Sequence, residues 1–311
     1  MGGMPLRQIQ KENLVAVGCV ALWMTLTAFF VGFRPEHLFM GLLILLLFFA
    51  STASRKLIVG LVPLILFAVS YDWMRVFPNY KVNPIDIEGL YNAEKLWFGI
   101  KEAGEVLIPS EYFAIHTSTV MDFFAGIFYL TWVPLPVAFA LYLYFKRERS
   151  LFLRFSMVFL LVNLVGFVGY YIHPAAAPWY VMNYGFEPIM NTPGSSAGLE
   201  RFDELTGIPI FNILYGRNSN VFAAVPSLHA AYLVVVLYYA ILKKCSAGAL
   251  IAIATCMCGI WFTAVYSAHH YIIDVLLGIV CALFGIALFE GVLLKTRTFN
   301  AFFNGYCRYI Y

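Results

Sequence analysis

Two short stretches hold the residues best suited to chemistry: Phe222-Ala-Ala-Val-Pro-Ser-Leu-His-Ala-Ala-Tyr232 and Tyr266-Ser-Ala-His-His-Tyr-Ile-Ile-Asp274. His270 and Asp274 stand four residues apart, so on a helix they share one face. A carboxylate so placed accepts the proton of one imidazole nitrogen, fixes the tautomer and leaves the other nitrogen as a nucleophile. His269 is turned by about 100° from His270 on the same helix and takes a supporting role. His229 belongs to the other stretch, where Pro226 suits the first turn of a helix. The N–H groups and positive dipole end of that helix favour an anion. Two histidines, one aspartate and an anion-friendly helix start describe a site for phosphoryl transfer through a phospho-histidine. The plainer alternative is a set of interfacial histidines satisfied by backbone, and the convergence of three such groups on one face weighs against it.

Those groups must be positioned by apolar elements, because the chain has little else. Of its 311 residues 62% are hydrophobic and 12% charged, against about 25% charged in a soluble domain. The expected fold class is therefore all-α, a polytopic membrane helical bundle. The net charge of +3 is spread along the chain, which argues against a nucleic-acid partner. The six cysteines fall in apolar spans or beside basic junctions, and their spacing suggests neither a disulfide framework nor a zinc site.

Spans near the ~20 residues that cross a bilayer are residues 14–33, 38–53, 57–73, 120–145, 151–171, 227–242, 247–266 and 272–294. That makes about eight transmembrane helices, two of them short. Pro134 and Pro136 should kink the fourth. The first span exceeds a signal-peptide apolar region and reads as a retained helix. Basic residues mark every second junction: Arg7 and Lys11, Arg55 and Lys56, Lys146 to Arg149, Lys243 and Lys244, Lys295 and Arg297. The positive-inside rule then places both termini in the cytoplasm. The two long segments, 78–119 and 173–223, fall on the opposite face with the histidines. In the first, Ile87, Leu90, Tyr91, Trp97 and Phe98 form an apolar stripe that suits an interfacial helix or a small soluble cap. The second is rich in Pro, Gly, Asn and Tyr and reads as irregular. Polar groups at membrane depth are functional candidates by default, which adds Tyr71-Asp-Trp-Met-Arg75 and His173 to the list.

Pro226-Ser227-Leu228-His229 resembles the second motif of the type 2 phosphatidic acid phosphatase superfamily, and Thr263 to Asp274 resembles its third. The resemblance implies that His270 attacks phosphorus, Asp274 orients it, and His229 protonates the leaving alcohol and later deprotonates the acceptor. It implies a six-helix catalytic core over residues 57–311, with residues 1–56 as an added helix pair, and no metal or other cofactor. The superfamily's phosphatases also carry a Lys-x6-Arg-Pro motif and an arginine six residues before the nucleophile. Here Ala264 fills that last position, and Arg34-Pro35 has Thr27 where the lysine should be. A phosphodiester carries less charge than a phosphomonoester, so the missing cations favour a diester donor.

That pattern is similar to the branch containing inositol phosphorylceramide synthases, which shares the His269-His270-Tyr271-x-x-Asp274 form and the Pro178-Trp179-Tyr180 loop. The branch implies transfer of inositol phosphate from phosphatidylinositol to ceramide or dihydroceramide. Arg75 and Arg217 are the candidates for the remaining phosphate contact, with Asp72 and His173 for a polyol headgroup. The expected partners are lipid substrates and the bilayer, with an active site on the periplasmic face of a bacterial inner membrane. The alternatives are a lipid or polyprenyl phosphate phosphatase and, outside enzymes, a transporter or membrane scaffold.

Overall fold

The computed structural model describes residues 6–216 and 220–311; Arg217 lies outside them. Its apolar helices follow the hydropathy pattern closely. Helix α1 (Leu6–Thr27) runs into a π-helical turn at Ala28–Gly32 and is followed by α2 (Pro35–Ala50) and α3 (Thr52–Trp73). Only Ser51 separates the last two. Its side chain accepts the Ser54 N–H and so caps α3, five residues earlier than the apolar run alone would suggest.

The fourth span is broken rather than merely kinked. Helix α6 (Thr119–Tyr129) and α7 (Pro134–Phe145) meet at 40° across residues 130–133, with Pro134 opening the second half. Then come α8 (Arg149–Ile172), α12 (Leu228–Leu242), α13 (Ala247–Tyr266) and α14 (Ile272–Gly291). Among the described residues five helices, or six with the bent pair as one, are long and apolar enough to cross a membrane; α2 and α12 are shorter.

Helix α12 is the hub. It packs against α14, α13, α8 and α7, and Ala231, Val235, Val236, Tyr239 and Ala240 are fully buried. Within a bilayer such association comes from close packing, not from the hydrophobic effect, and small residues permit it. Gly278 shows the tolerance: a Cβ there would lie 2.1 Å from the Ser227 carbonyl oxygen. At the opposite end Glu290 of α14 accepts from Arg154 of α8 at 2.9 Å and from the Tyr239 hydroxyl. That compensated charge pins three helices together.

Between the spans lies an outer layer. Residues 78–119 form α4 (Glu88–Phe98), the hairpin β1 (Ile100–Glu102) and β2 (Glu105–Leu107), and α5 (Pro109–Ile115). Ile87, Leu90 and Tyr91 are buried with Ile108, Trp179 and Phe222, whereas Trp97 is 68% exposed. The first half of the predicted stripe thus builds a small cap, and only its end is free to meet lipid. Residues 173–223 are not irregular as expected. They carry α9 (Pro178–Tyr184), α10 (Glu200–Thr206) and α11 (Ile210–Tyr215). These helices have six or seven residues, too short for a periodic signal to stand out.

The chain closes with α15 (Arg297–Ile310), an amphipathic helix absent from the sequence expectations. Its apolar side, with Phe303, Cys307 and Ile310 buried, rests on α3 and α8 at the end that carries the basic junctions.

Candidate active site

The site sits where α12 and α14 begin. Ser227 caps α12 by accepting the Ala230 N–H, and its own N–H donates to the Asp274 carbonyl at 2.9 Å. Pro226 therefore precedes the cap, in a cis peptide bond, and does not occupy the first helical turn as the sequence suggested. His229 falls at the second helical position. The turn linking α13 to α14 is held by Ser267 N–H to Thr263 O (2.8 Å) and His270 N–H to Ala264 O (2.9 Å). Outer-layer amides grip it from above: Trp179 N–H donates to Ala268 O and Gly198 N–H to Ser267 O.

This framework brings the three principal residues into one line. His270 Nδ1 lies 3.3 Å from Asp274 Oδ2, which also accepts the Tyr271 N–H at 2.9 Å. With the carboxylate as acceptor, the proton sits on His270 Nδ1 and the lone pair on Nε2. His229 Nδ1 stands 3.0 Å from that Nε2. Asp274 is fully buried, and its Oδ1 has no hydrogen-bond partner among the described residues. Burial lowers His270 to about 4 and His269 to about 3. Both rings are neutral at pH 7.

Aromatic rings enclose His229: Tyr129 stacks on it at 5.1 Å and Trp132 meets it edge-on at 4.6 Å. Sequence reasoning passed over both, because they lie at the break between α6 and α7. An aromatic pair at a broken membrane helix was the available signal.

The remaining candidates divide. His269 and Trp179 line the same cavity of about 160 Å³ as His229 and His270. His269 Nδ1 faces the hydroxyl and carbonyl oxygens of Ser267 at 3.2 and 3.3 Å. Tyr180 does not line the cavity; its hydroxyl donates to Glu187 O and accepts from Ile189 N–H, tying down the outer loop. His173 is turned outward, 48% exposed and paired with Asp86 at 3.1 Å. Asp72 meets Arg34, His37 and Arg75 at 3.1–3.4 Å where α2 begins and α3 ends; Tyr71 and Met74 beside them line the cavity, and Asp72 and Arg75 do not. Ala264, in place of the expected arginine, is buried in the core.

One further carboxylate was missed. Glu94 of α4 is 1% exposed and accepts the N–H groups of Ile272 (2.8 Å) and Ile273 (3.2 Å), capping α14 from outside. Its place on the apolar stripe, four residues after Leu90, was the clue: an acid there needs buried donors.

The family described as the PAP2 superfamily matches residues 108–288. The chain belongs to the PAP2 superfamily. Within it the chain is similar to a phosphoinositol dihydroceramide synthase of Bacteroides thetaiotaomicron, 60% identical over 97% of this chain and 99% of that protein. It is also similar to the inositol phosphorylceramide synthase catalytic subunit AUR1 of Saccharomyces cerevisiae, at 25% identity over 74% of this chain and 56% of the relative. The inositol phosphorylceramide synthase of Candida albicans is 28% identical over 58% of this chain and 38% of its own length. No solved structure matches the chain.

Proposed function

We propose that this PAP2-superfamily member is a lipid phosphotransferase that moves inositol phosphate from phosphatidylinositol to ceramide or dihydroceramide and releases diacylglycerol. The observation that carries the reading is the buried line Asp274–His270–His229, set beside an alanine where a phosphatase needs an arginine. The extensive identity with a phosphoinositol dihydroceramide synthase supports the same donor and acceptor.

The chemistry follows from the line. Asp274 holds His270 so that Nε2 attacks phosphorus, and the bond from phosphorus to the diacylglycerol oxygen breaks. His229, protonated when the anionic diester is bound, gives that oxygen a proton and is left as the neutral ring. The acceptor hydroxyl then returns a proton to His229 and attacks the phospho-histidine, breaking the P–N bond and restoring His270. Phosphorus must sit between the two rings. At 3.0 Å apart they leave it no room, so His229 has to turn away from His270 as the donor enters. The outer layer of α4, α9 and α11 keeps bulk water from an intermediate that water would otherwise hydrolyse.

The catalytic core begins with α3, whose start at Thr52 moves the boundary five residues ahead of the expected residue 57, and α1 and α2 form the added N-terminal helix pair. The alternating basic junctions support cytoplasmic termini and a periplasmic site in a bacterial inner membrane.

The test is incubation of purified protein with labelled phosphatidylinositol, with and without ceramide. Labelled phosphosphingolipid forming only when ceramide is present is the expected result. Release of inorganic phosphate from phosphatidic acid, with no transfer, would overturn it. Trapped label on histidine should vanish in His270→Ala.

A further inference from the structure

Beside the histidine pair lies a group of polar atoms that the transfer chemistry does not use. The hydroxyls of Tyr129 and Tyr215 and Nε2 of His269 are all shut off from water and have no hydrogen-bond partner among the described residues. Orphaned buried polar atoms are uncommon, and each asks for an explanation. These three are neighbours. Tyr215 meets His269 edge-on at 4.3 Å, Tyr129 lies 5.6 Å from His269 and 6.5 Å from Tyr215, and Tyr129 stacks directly on His229. The two hydroxyls approach one another without reaching hydrogen-bond geometry.

The character of the group is set by His269. Ser267 Oγ donates to Thr263 O at 2.6 Å, so towards Nδ1 of His269 it accepts, as does the Ser267 carbonyl. Nδ1 therefore carries the proton, and in the neutral ring Nε2 offers a lone pair. A lone pair repels phosphoryl oxygens. It suits a hydroxyl, and so do two tyrosines that both donate and accept.

We propose that Tyr129, Tyr215 and His269 form a niche that reads the hydroxyl groups of the donor's polyol headgroup, while phosphorus lies between His229 and His270. The niche rests on the lipid phosphotransferase reading above and supplies its headgroup selectivity. Access comes with the chemistry: as His229 turns to admit phosphorus, Tyr129 loses the ring stacked on it and the three polar atoms open towards the cavity. A headgroup without hydroxyls leaves them buried and unpaired, and a site built to bond hydroxyls discriminates strongly against such a ligand.

The test uses the full-length protein and the conservative variants Tyr129→Phe, Tyr215→Phe and His269→Asn, with myo-inositol 1-phosphate and inorganic phosphate as inhibitors of lipid transfer. Loss of one neutral hydrogen bond should raise the inhibition constant of myo-inositol 1-phosphate about tenfold and leave that of inorganic phosphate unchanged. KM for phosphatidylinositol should rise in parallel, with KM for ceramide unaltered. Should one variant fail to fold, the other two carry the same comparison. Inhibition constants that rise together would assign these groups to the phosphate, and constants that do not move would remove them from the site. Either outcome overturns the niche while leaving lipid transfer intact. Absence of transfer from phosphatidylinositol by the wild-type protein would instead overturn the function on which the niche rests.

Discussion

At the scale of single residues, burial sets the protonation of the site and hence its pH dependence. Desolvation lowers His270 to about 4, against ~6.5 for an ordinary imidazole. The neutral, nucleophilic ring therefore persists as pH falls through 6.5 and is lost only as pH nears the lowered value. Transfer rates measured from pH 8 to pH 4 should hold to about pH 5.5, and an acid limb centred at 6.5 would contradict the assignment. The same sign governs stability: what neutral His269 and His270 contribute is fully present above ~6.5 and is lost as pH falls towards 4 and 3. Asp274→Asn keeps the shape but lets His270 adopt the wrong tautomer. We expect kcat to drop by about 10²–10⁴ with KM for phosphatidylinositol nearly unchanged, read by steady-state kinetics. The His270–Asp274 contact was legible from its spacing, but the helical face assumed for it was not borne out: His270 stands in the turn before Tyr271, the cap of α14, and meets Asp274 of the first turn from outside the helix. The contact of His270 with His229 was not legible, since that depends on how α12 meets α14 across Gly278.

At the scale of elements, Glu94 links the outer layer to the catalytic helix. Glu94→Ala removes both acceptors from the start of α14 and should cost about 1–2 kcal/mol of stability, as loss of a good helix cap does, read as a lower midpoint in thermal unfolding. Burial raises Glu94 to about 7 in the folded protein, above its ordinary range, so the folded state favours the protonated form. The stability associated with that proton is present below ~4.5 and lost as pH rises through about 7. Glu94→Gln cannot ionise, and its melting temperature relative to wild type should improve between pH 5 and pH 8. The long apolar helices and the break at Pro134 were readable from hydropathy and from proline's missing N–H. Helices α9, α10 and α11 were not. Each is too short to be stable alone and is held by tertiary contacts such as the Asp203 carboxylate accepting the N–H groups of Phe211 and Asn212.

At the scale of the whole molecule, the bundle is asymmetric. One end carries the basic junctions and α15, and the other carries the cap and the histidines. Cysteines introduced at Gly104 in the β1–β2 turn and at Lys244 between α12 and α13 should react with a membrane-impermeant reagent from opposite sides of intact membranes. Labelling of both from one side would undo the topology. The bundle is also uneven in height. Helix α12 has 15 residues and α2 has 16, so they span about 22 and 24 Å, while the hydrocarbon layer around them is ~30 Å deep. Helix α2 turns an apolar side outward, with Phe39, Leu42 and Leu46 exposed, so lipids beside it must thin or dip to meet the protein surface. Helix α12 is shut in by α7, α8, α13 and α14, so its short length instead sets His229 below the level of the longer helices, and a thinner leaflet around the bundle shortens the donor's descent to the nucleophile. Vesicles of longer-chain lipid resist that deformation and should slow transfer, whereas detergent micelles of varied chain length should not. The enzyme's rate would then register the thickness of the membrane that holds it.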